Sequence, residues 1–175
     1  MIKSNKFTEV QGFHQLWLWA ILLSIQTFLI GIFFSKSVFD KFVGNNPPPS
    51  GVLSMLILFF LLLDYLFWKI KLETQIDETG VYYRFNLFQK KFKFHAWDDI
   101  ETCYTRSYKP LWEFGGWGFR LGFSGGIAYN VSGNKGLQLV LKNNKKILIG
   151  TQEETELEAF LKANGRWITN ENATS

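Results

Sequence analysis

Two periods of apolar residues divide the chain. Leu16 to Phe34 reads LWLWAILLSIQTFLIGIFF, an unbroken apolar run without a charge, and Gly51 to Trp68 reads GVLSMLILFFLLLDYLFW, with Asp64 as its one charge. At about 1.5 Å per residue, a helix over the first run spans roughly 28 Å, close to the ~30 Å hydrocarbon core of a bilayer. Buried core helices of a soluble domain are the alternative, but the rest of the chain is short for covering two of them. Between the runs, Gly44, Asn45, Asn46 and the prolines at 47–49 interrupt any helix, and Ser50 is placed to cap the next one. The pattern predicts a helical hairpin with spans at 16–34 and 51–68.

From Lys71 the period shortens to two. VYYRFN sets Val81, Tyr83 and Phe85 on one face, FKFHAW sets Phe92, Phe94 and Ala96 on one face, and LQLVLK alternates Leu137, Leu139 and Leu141 against Gln138 and Lys142. DETG, VSGNKG and KNNK are turn signals between such segments. With KLETQID, IETCYTRSY, IAYNV and KILIG, these make about seven antiparallel strands, a small sandwich or barrel. TQEETELEAFLKANG then predicts a helix over 152–164. Thr151 and Glu154 have capping-box spacing, acids crowd the first turn, Lys162 and Gly165 mark the end, and Leu157, Phe160 and Leu161 form an apolar stripe. The expected organisation is an N-terminal segment with two spans over 1–70, a β-domain over 71–165, and a polar tail over 166–175.

Charge and composition add an orientation and remove several chemistries. Lys3, Lys6, Lys69, Lys71 and Arg84 flank the outer ends of the spans, against Lys36 and Lys41 in the loop. The positive-inside rule therefore puts both termini in the cytoplasm. Trp17, Trp19, Tyr65 and Trp68 form an aromatic belt at those same ends. The first run is too long for a signal peptide, and no small-residue cleavage site follows it. Asp64 is either a functional intramembrane acid or a charge near the interface satisfied by water or by Lys69, and the second reading is preferred. The lone Cys103 rules out an internal disulfide and a cysteine zinc site, and His14 and His95 lie far apart. No metal or cofactor is expected. A net charge of +4 is too sparse for a nucleic-acid binder. From Lys69 to Thr151, 13 Lys/Arg stand against 7 Asp/Glu, and the lysines cluster as Lys90, Lys91, Lys93 and as Lys142, Lys145, Lys146. Such clusters either contact an anionic leaflet or are solvated hairpin turns.

The densest glycine content lies in EFGGWGFRLGFSGG, Glu113 to Gly126. Gly116 and Gly118 are followed by Leu121 where a dinucleotide fingerprint needs its third glycine, and no Walker lysine follows. GFSGG matches the nucleophile elbow around Ser124, but no histidine follows it, so a serine hydrolase is a remote reading. The adjacent Asp98 and Asp99 suit a turn beside Trp97 better than a catalytic pair. The stretch is expected to be bent β-structure. Gly115, Gly116, Gly118 and Gly122 would serve backbone geometry, while Trp117, Phe119 and Arg120, with Lys90, Lys91 and Lys93, are the candidate ligand or partner contacts. Asn130 and Asn172 match glycosylation sequons, unused on a cytoplasmic side.

HAWDDIE at 95–101, GGWGFR at 115–120, AYNVSGNKG at 128–136 and ILIGTQ at 147–152, in a chain of strands closed by one helix, carry a resemblance. The sequence resembles, over roughly 16–164, the small bacterial membrane proteins described as PH-domain-containing. The resemblance implies a two-helix hairpin before a pleckstrin-homology-like domain, multi-pass in the bacterial inner membrane. It implies no catalytic activity and no ligand. The expected function is a non-enzymatic interaction or scaffolding module at the cytoplasmic face, with the bilayer and a protein partner or a second copy as its contacts. An anionic lipid head-group sensor is the alternative.

Overall fold

The computed structural model describes residues 6–34, 50–87, 89–123 and 125–168. The expected loop at 44–49, Lys3, Lys36, Lys41, Ser124, Asn172 and the polar tail from 169 lie outside the described residues.

The described chain forms two compact units, one of residues 14–69 and one that combines the N-terminal residues through Phe13 with Ile70 onward. In the first, helix α1 (Leu16–Phe34) packs on helix α2 (Ser50–Lys69). Both are long and apolar enough to cross a membrane. Asp64 finds its hydrogen bond across the pair, from Gln26 Nε2 on α1. The Lys69 ammonium lies 5.8 Å from the Tyr65 ring centre and 5.2 Å from that of Trp68.

The second unit is α+β. Strands β1 (Lys6–Gly12), β2 (Lys71–Asp77), β3 (Gly80–Phe85) and β4 (Lys93–Ala96) pair in that order as one antiparallel sheet. A 3-10 turn at Trp97–Asp99 leads into β5 (Ile100–Ser107), a short helix α3 (Pro110–Phe114), β6 (Gly118–Leu121), β7 (Ile127–Asn130), β8 (Lys135–Leu141) and β9 (Lys146–Gly150). These strands form a second sheet in the order β5-β8-β9-β7-β6. Helix α4 (Glu154–Ala163) closes the domain. Phe7, Leu72, Ile76, Val81, Tyr83 and Phe85 of the first sheet share one buried cluster with Cys103, Leu137, Leu139, Ile147 and Ile149 of the second, and Leu157 and Leu161 of α4 join it. This face-to-face burial of two sheets and one helical stripe is the domain's main source of stability.

Five expectations change. Nine strands are present among the described residues instead of seven. β7 runs parallel to β9, because the chain crosses from one to the other through β8. β1 belongs to the β-domain: it pairs with β2 from Lys6↔Asp77 to Gly12↔Lys71, so the two helices are an insertion between paired strands. Its alternation escapes a hydrophobic search because the inward residues after Phe7 are Glu9 and Gln11, while Val10 faces out. The capping box does not form. Thr151 accepts a hydrogen bond from the Glu153 amide, but Glu154 pairs with Lys135 at 3.0 Å, and the helix runs over Glu154–Ala163. Finally, the register Val81↔His95 and Tyr83↔Lys93 turns the polar side of β4 inward and leaves Phe94 outside, stacked on Tyr82 at 4.5 Å.

Glu9 and Gln11 tie the first strand to the end of the last one. The Glu9 carboxylate accepts from the Thr151 hydroxyl and from the Gln152 amide, both at 2.7 Å, and Gln11 Nε2 donates to the Gly150 carbonyl at 2.6 Å. Burial pushes the Glu9 carboxyl above its usual value of 4.5, more strongly than the Gln152 and Thr151 hydrogen bonds pull it down. In the pH window above 4.5 the folded chain therefore holds a proton that the unfolded chain has lost, so this group makes stability fall as pH rises. Glu9→Gln should accordingly gain on wild type as pH is raised through that window, in thermal unfolding of the full-length protein. A difference independent of pH would contradict the assignment. Glu9→Ala leaves the buried Thr151 hydroxyl and the half-buried Gln152 amide without their acceptor, and should lose about 1–3 kcal/mol, most at low pH.

Candidate functional site

The glycine stretch begins as a helix. Pro110 occupies the first turn of α3, where a missing N–H costs nothing, and the Lys109 amide donates to Glu113 Oε1 at 2.7 Å. Glu113 also pairs with Arg106 at 2.9 Å. The helix stops at Gly115, in the left-handed region, with the Gly115 and Gly116 amides returned to the Leu111 and Pro110 carbonyls. The expectation of β-structure from Glu113 onward is thus corrected for its first residues, and β6 begins only at Gly118.

Gly116 and Gly118 hold φ of 126° and 112°, outside the range of β-branched residues. Gly122 is required for space, since a Cβ there would stand 2.9 Å from the Phe114 ring. The Gly118 amide donates to Asn130 Oδ1 at 2.8 Å, and Asn130 Nδ2 donates to the Tyr108 hydroxyl at 3.0 Å. Asn130 is wholly buried, so its amide is out of reach of glycosylation wherever the domain resides. Trp117 Nε1 donates to the Gly133 carbonyl, and Arg120 Nε donates to the Trp117 carbonyl, each at 3.0 Å. Trp117 and Arg120 therefore brace their own turn.

The other candidates separate. Lys90 and Lys91 lie in the β3–β4 connection, where the Lys90 carbonyl accepts from Arg84 Nη1 at 3.1 Å. Lys93, on the inward face of β4, enters a cleft of about 1220 Å³ between β4 and the β8–β9 turn. Its ammonium donates to the Tyr129 hydroxyl at 2.5 Å and stands 5.1 Å and 5.7 Å from the ring centres of Tyr129 and Phe119. Lys142, Lys145 and Lys146 line the same cleft from the other side. Sequence spacing found both lysine clusters; their convergence was invisible to it, because it depends on the register of β4 and on how the two sheets pack.

The walls are built on fixed backbone. The Lys142 amide donates to the Asp99 carbonyl at 2.9 Å and the Leu141 amide to Lys145 at 2.9 Å, with Asn144 at a φ of 64° closing the turn. His95 Nε2 and the Tyr83 hydroxyl share a hydrogen bond of 3.1 Å. Burial lowers the His95 pKa; Asp99 opposes the shift, and Lys93 and Lys145 add to it. The imidazole is therefore neutral at pH 7 and adds polarity to the wall without charge. Burial likewise pushes the Tyr83 hydroxyl up, keeping it protonated. Cys103 is buried, its thiol pushed up to about 12, which leaves it inert as a nucleophile. Among the described residues, no group of three His, Cys, Asp or Glu is arranged to hold a metal. The cleft presents the ammonium groups of four lysines and the Tyr129 hydroxyl to one space.

Gly118→Val should destabilise the β-domain by about 1–3 kcal/mol of backbone strain. Arg120→Ala removes one exposed hydrogen bond and should change stability by no more than about 0.5 kcal/mol. Thermal unfolding of both full-length variants decides. A wild-type melt for Gly118→Val beside a collapsed Arg120→Ala would reverse the two roles.

No protein-family model matches the sequence, and a search of curated proteins gives no match either.

Proposed function

We propose that the protein is a membrane-anchored, non-enzymatic interaction module, a pleckstrin-homology-like domain held at the cytoplasmic face of a bacterial inner membrane by a two-span hairpin. The observation that carries this reading is the insertion of two apolar helices between directly paired strands, with Gly12 opposite Lys71. Residues before and after the hairpin belong to one folded body, and a pair of spans returns the chain to the side it left. The helices support the membrane setting through their surfaces. Met55, Leu58, Leu62 and Phe34 are exposed, which water disfavours and lipid does not. The Gln26–Asp64 hydrogen bond keeps two polar groups turned toward each other and away from lipid tails.

The domain's two packed sheets and closing helix support the pleckstrin-homology-like reading. The parallel β7–β9 pair and the strand ahead of the spans are departures from a simple antiparallel run. Support for a protein partner comes from α3 and the following loop. Leu111, Trp112 and Phe123 are largely exposed there, and the Phe123 amide is tied to the Glu113 carbonyl at 3.0 Å. An exposed Trp beside other large apolar groups is the composition of an interface centre.

Topology reporters fused at Asn46 and after Ser175 should report opposite sides of the membrane, the second cytoplasmic. Reporters on one side would overturn the anchor. Crosslinking in intact membranes should trap a defined complex through the α3 surface, lost in Trp112→Ala. Recovery of the monomer alone would overturn the interaction reading.

A further inference from the structure

We infer that the cleft between β4 and the β8–β9 turn binds an anionic amphiphile, an acidic head group carrying an apolar tail. Four lysines, Lys93, Lys142, Lys145 and Lys146, line it against the single carboxylate of Asp99, a net charge of +3. Among the described residues, none of the four makes a salt bridge. Lysines on a plain solvated hairpin would be expected to diverge into water; here the β4 register sends Lys93 toward the same space as the turn's lysines. Tyr129 adds a donor: because its oxygen accepts from Lys93, its own proton remains available to an anion. Hydrogen bonds between charged groups and such donors are the strong ones in anion recognition.

The apolar part of the cleft sets the rest of the ligand. Ile127, Leu141 and Ile147 contribute to the lining beside the Tyr83 and Tyr129 rings. Small-molecule sites commonly occupy about 300–1,000 Å³, so a cleft of about 1220 Å³ exceeds what a bare phosphate can fill. A free inorganic anion would leave the apolar wall wet, and a neutral lipid would leave the lysines unpaired. An acidic head with an alkyl chain satisfies both. The head group can be phosphate or carboxylate, and the source can be the bilayer or a soluble acid. The inference rests on the anchored-module reading only for a bilayer source.

Native mass spectrometry of the full-length protein in neutral detergent tests this with four probes: phosphatidylglycerol, dodecyl phosphate, phosphatidylcholine and inorganic phosphate. One equivalent of an anionic amphiphile should be retained, in preference to phosphatidylcholine and to inorganic phosphate. Retention of phosphatidylglycerol over dodecyl phosphate identifies a bilayer source, and the reverse identifies a soluble one. The double variant Lys142→Glu/Lys145→Glu changes two exposed side chains, and its unfolding curve serves as the control for folding. Reversing two of the four lysine charges should weaken retention by at least about tenfold. Retention unchanged in the variant would overturn the site, since any anionic lipid held elsewhere survives those substitutions. Equal retention of phosphatidylcholine would overturn the charge argument, and retention of inorganic phosphate as firmly as of the amphiphiles would overturn the apolar one. Because dodecyl phosphate needs no bilayer, failure here is separable from failure of the anchor, which the topology reporters read independently.

Discussion

The pairing of β1 with β2 is the constraint on which the rest of the molecule depends. The strands are neighbours in space and are separated in sequence by both apolar helices, so the chain can close its first sheet only after the whole helical segment has been made. Phe13 and Ile70, at the two exits, pack against the buried cluster and mark where the domain ends. Closing so long a loop costs little more entropy than closing a short one, which is why a fold tolerates the insertion. A domain cut at Lys71 would lack its edge strand. It would also leave the Gly150 carbonyl, the Thr151 hydroxyl and the Gln152 amide without the partners that β1 provides.

Buried polar groups are the recurring means by which distant segments are joined. Glu9 and Gln11 join the first strand to the last, Asn130 joins β6 to the segment before α3, and Gln26 joins α1 to Asp64 of α2. Each of these bonds joins groups withdrawn from water, although Gln11 Oε1 and Asp64 Oδ1 stay unpaired, and a shifted register would break it. Apolar packing supplies the larger stabilisation and tolerates small slips. The polar bonds select a single arrangement from those that packing alone would allow. For Glu9 the selection has a cost: its desolvation makes the carboxylate form less favourable in the folded chain than in the unfolded one.

The glycine stretch and the cleft divide structure from recognition. Gly116 and Gly118 let the backbone turn sharply into β6, and Asn130 locks that turn from below. Phe119, the next residue in β6, reaches the Tyr129 ring at 5.2 Å and so helps to wall the place where Lys93 sits. Within this stretch Trp117 and Phe119 position their neighbours, while Phe123, like Trp112 just ahead of the stretch, faces outward.

Local pattern was enough for much of the architecture. Runs such as 16–34 cannot be anything but long apolar helices, and the alternation at Val81, Tyr83 and Phe85 or at Leu137, Leu139 and Leu141 puts those side chains inside whatever sheet they join. Both signals depend only on the period of side-chain direction within one element. Strand β1 was illegible by the same rule, because Glu9 and Gln11 are polar at inward positions and become buried only when Gly150, Thr151 and Gln152 arrive to bond them. The four-residue β4 read with its faces reversed: Phe92, Phe94 and Ala96 look like a core face, yet pairing with β3 sends Lys93 and His95 inward and leaves Phe94 against Tyr82 outside. The sequence by itself determined which segments are helical and which extended. Only the tertiary structure decided that Lys93 and the lysines of the β8–β9 turn face one cleft, since register and sheet packing are set by hydrogen bonds and contacts between residues far apart in the chain.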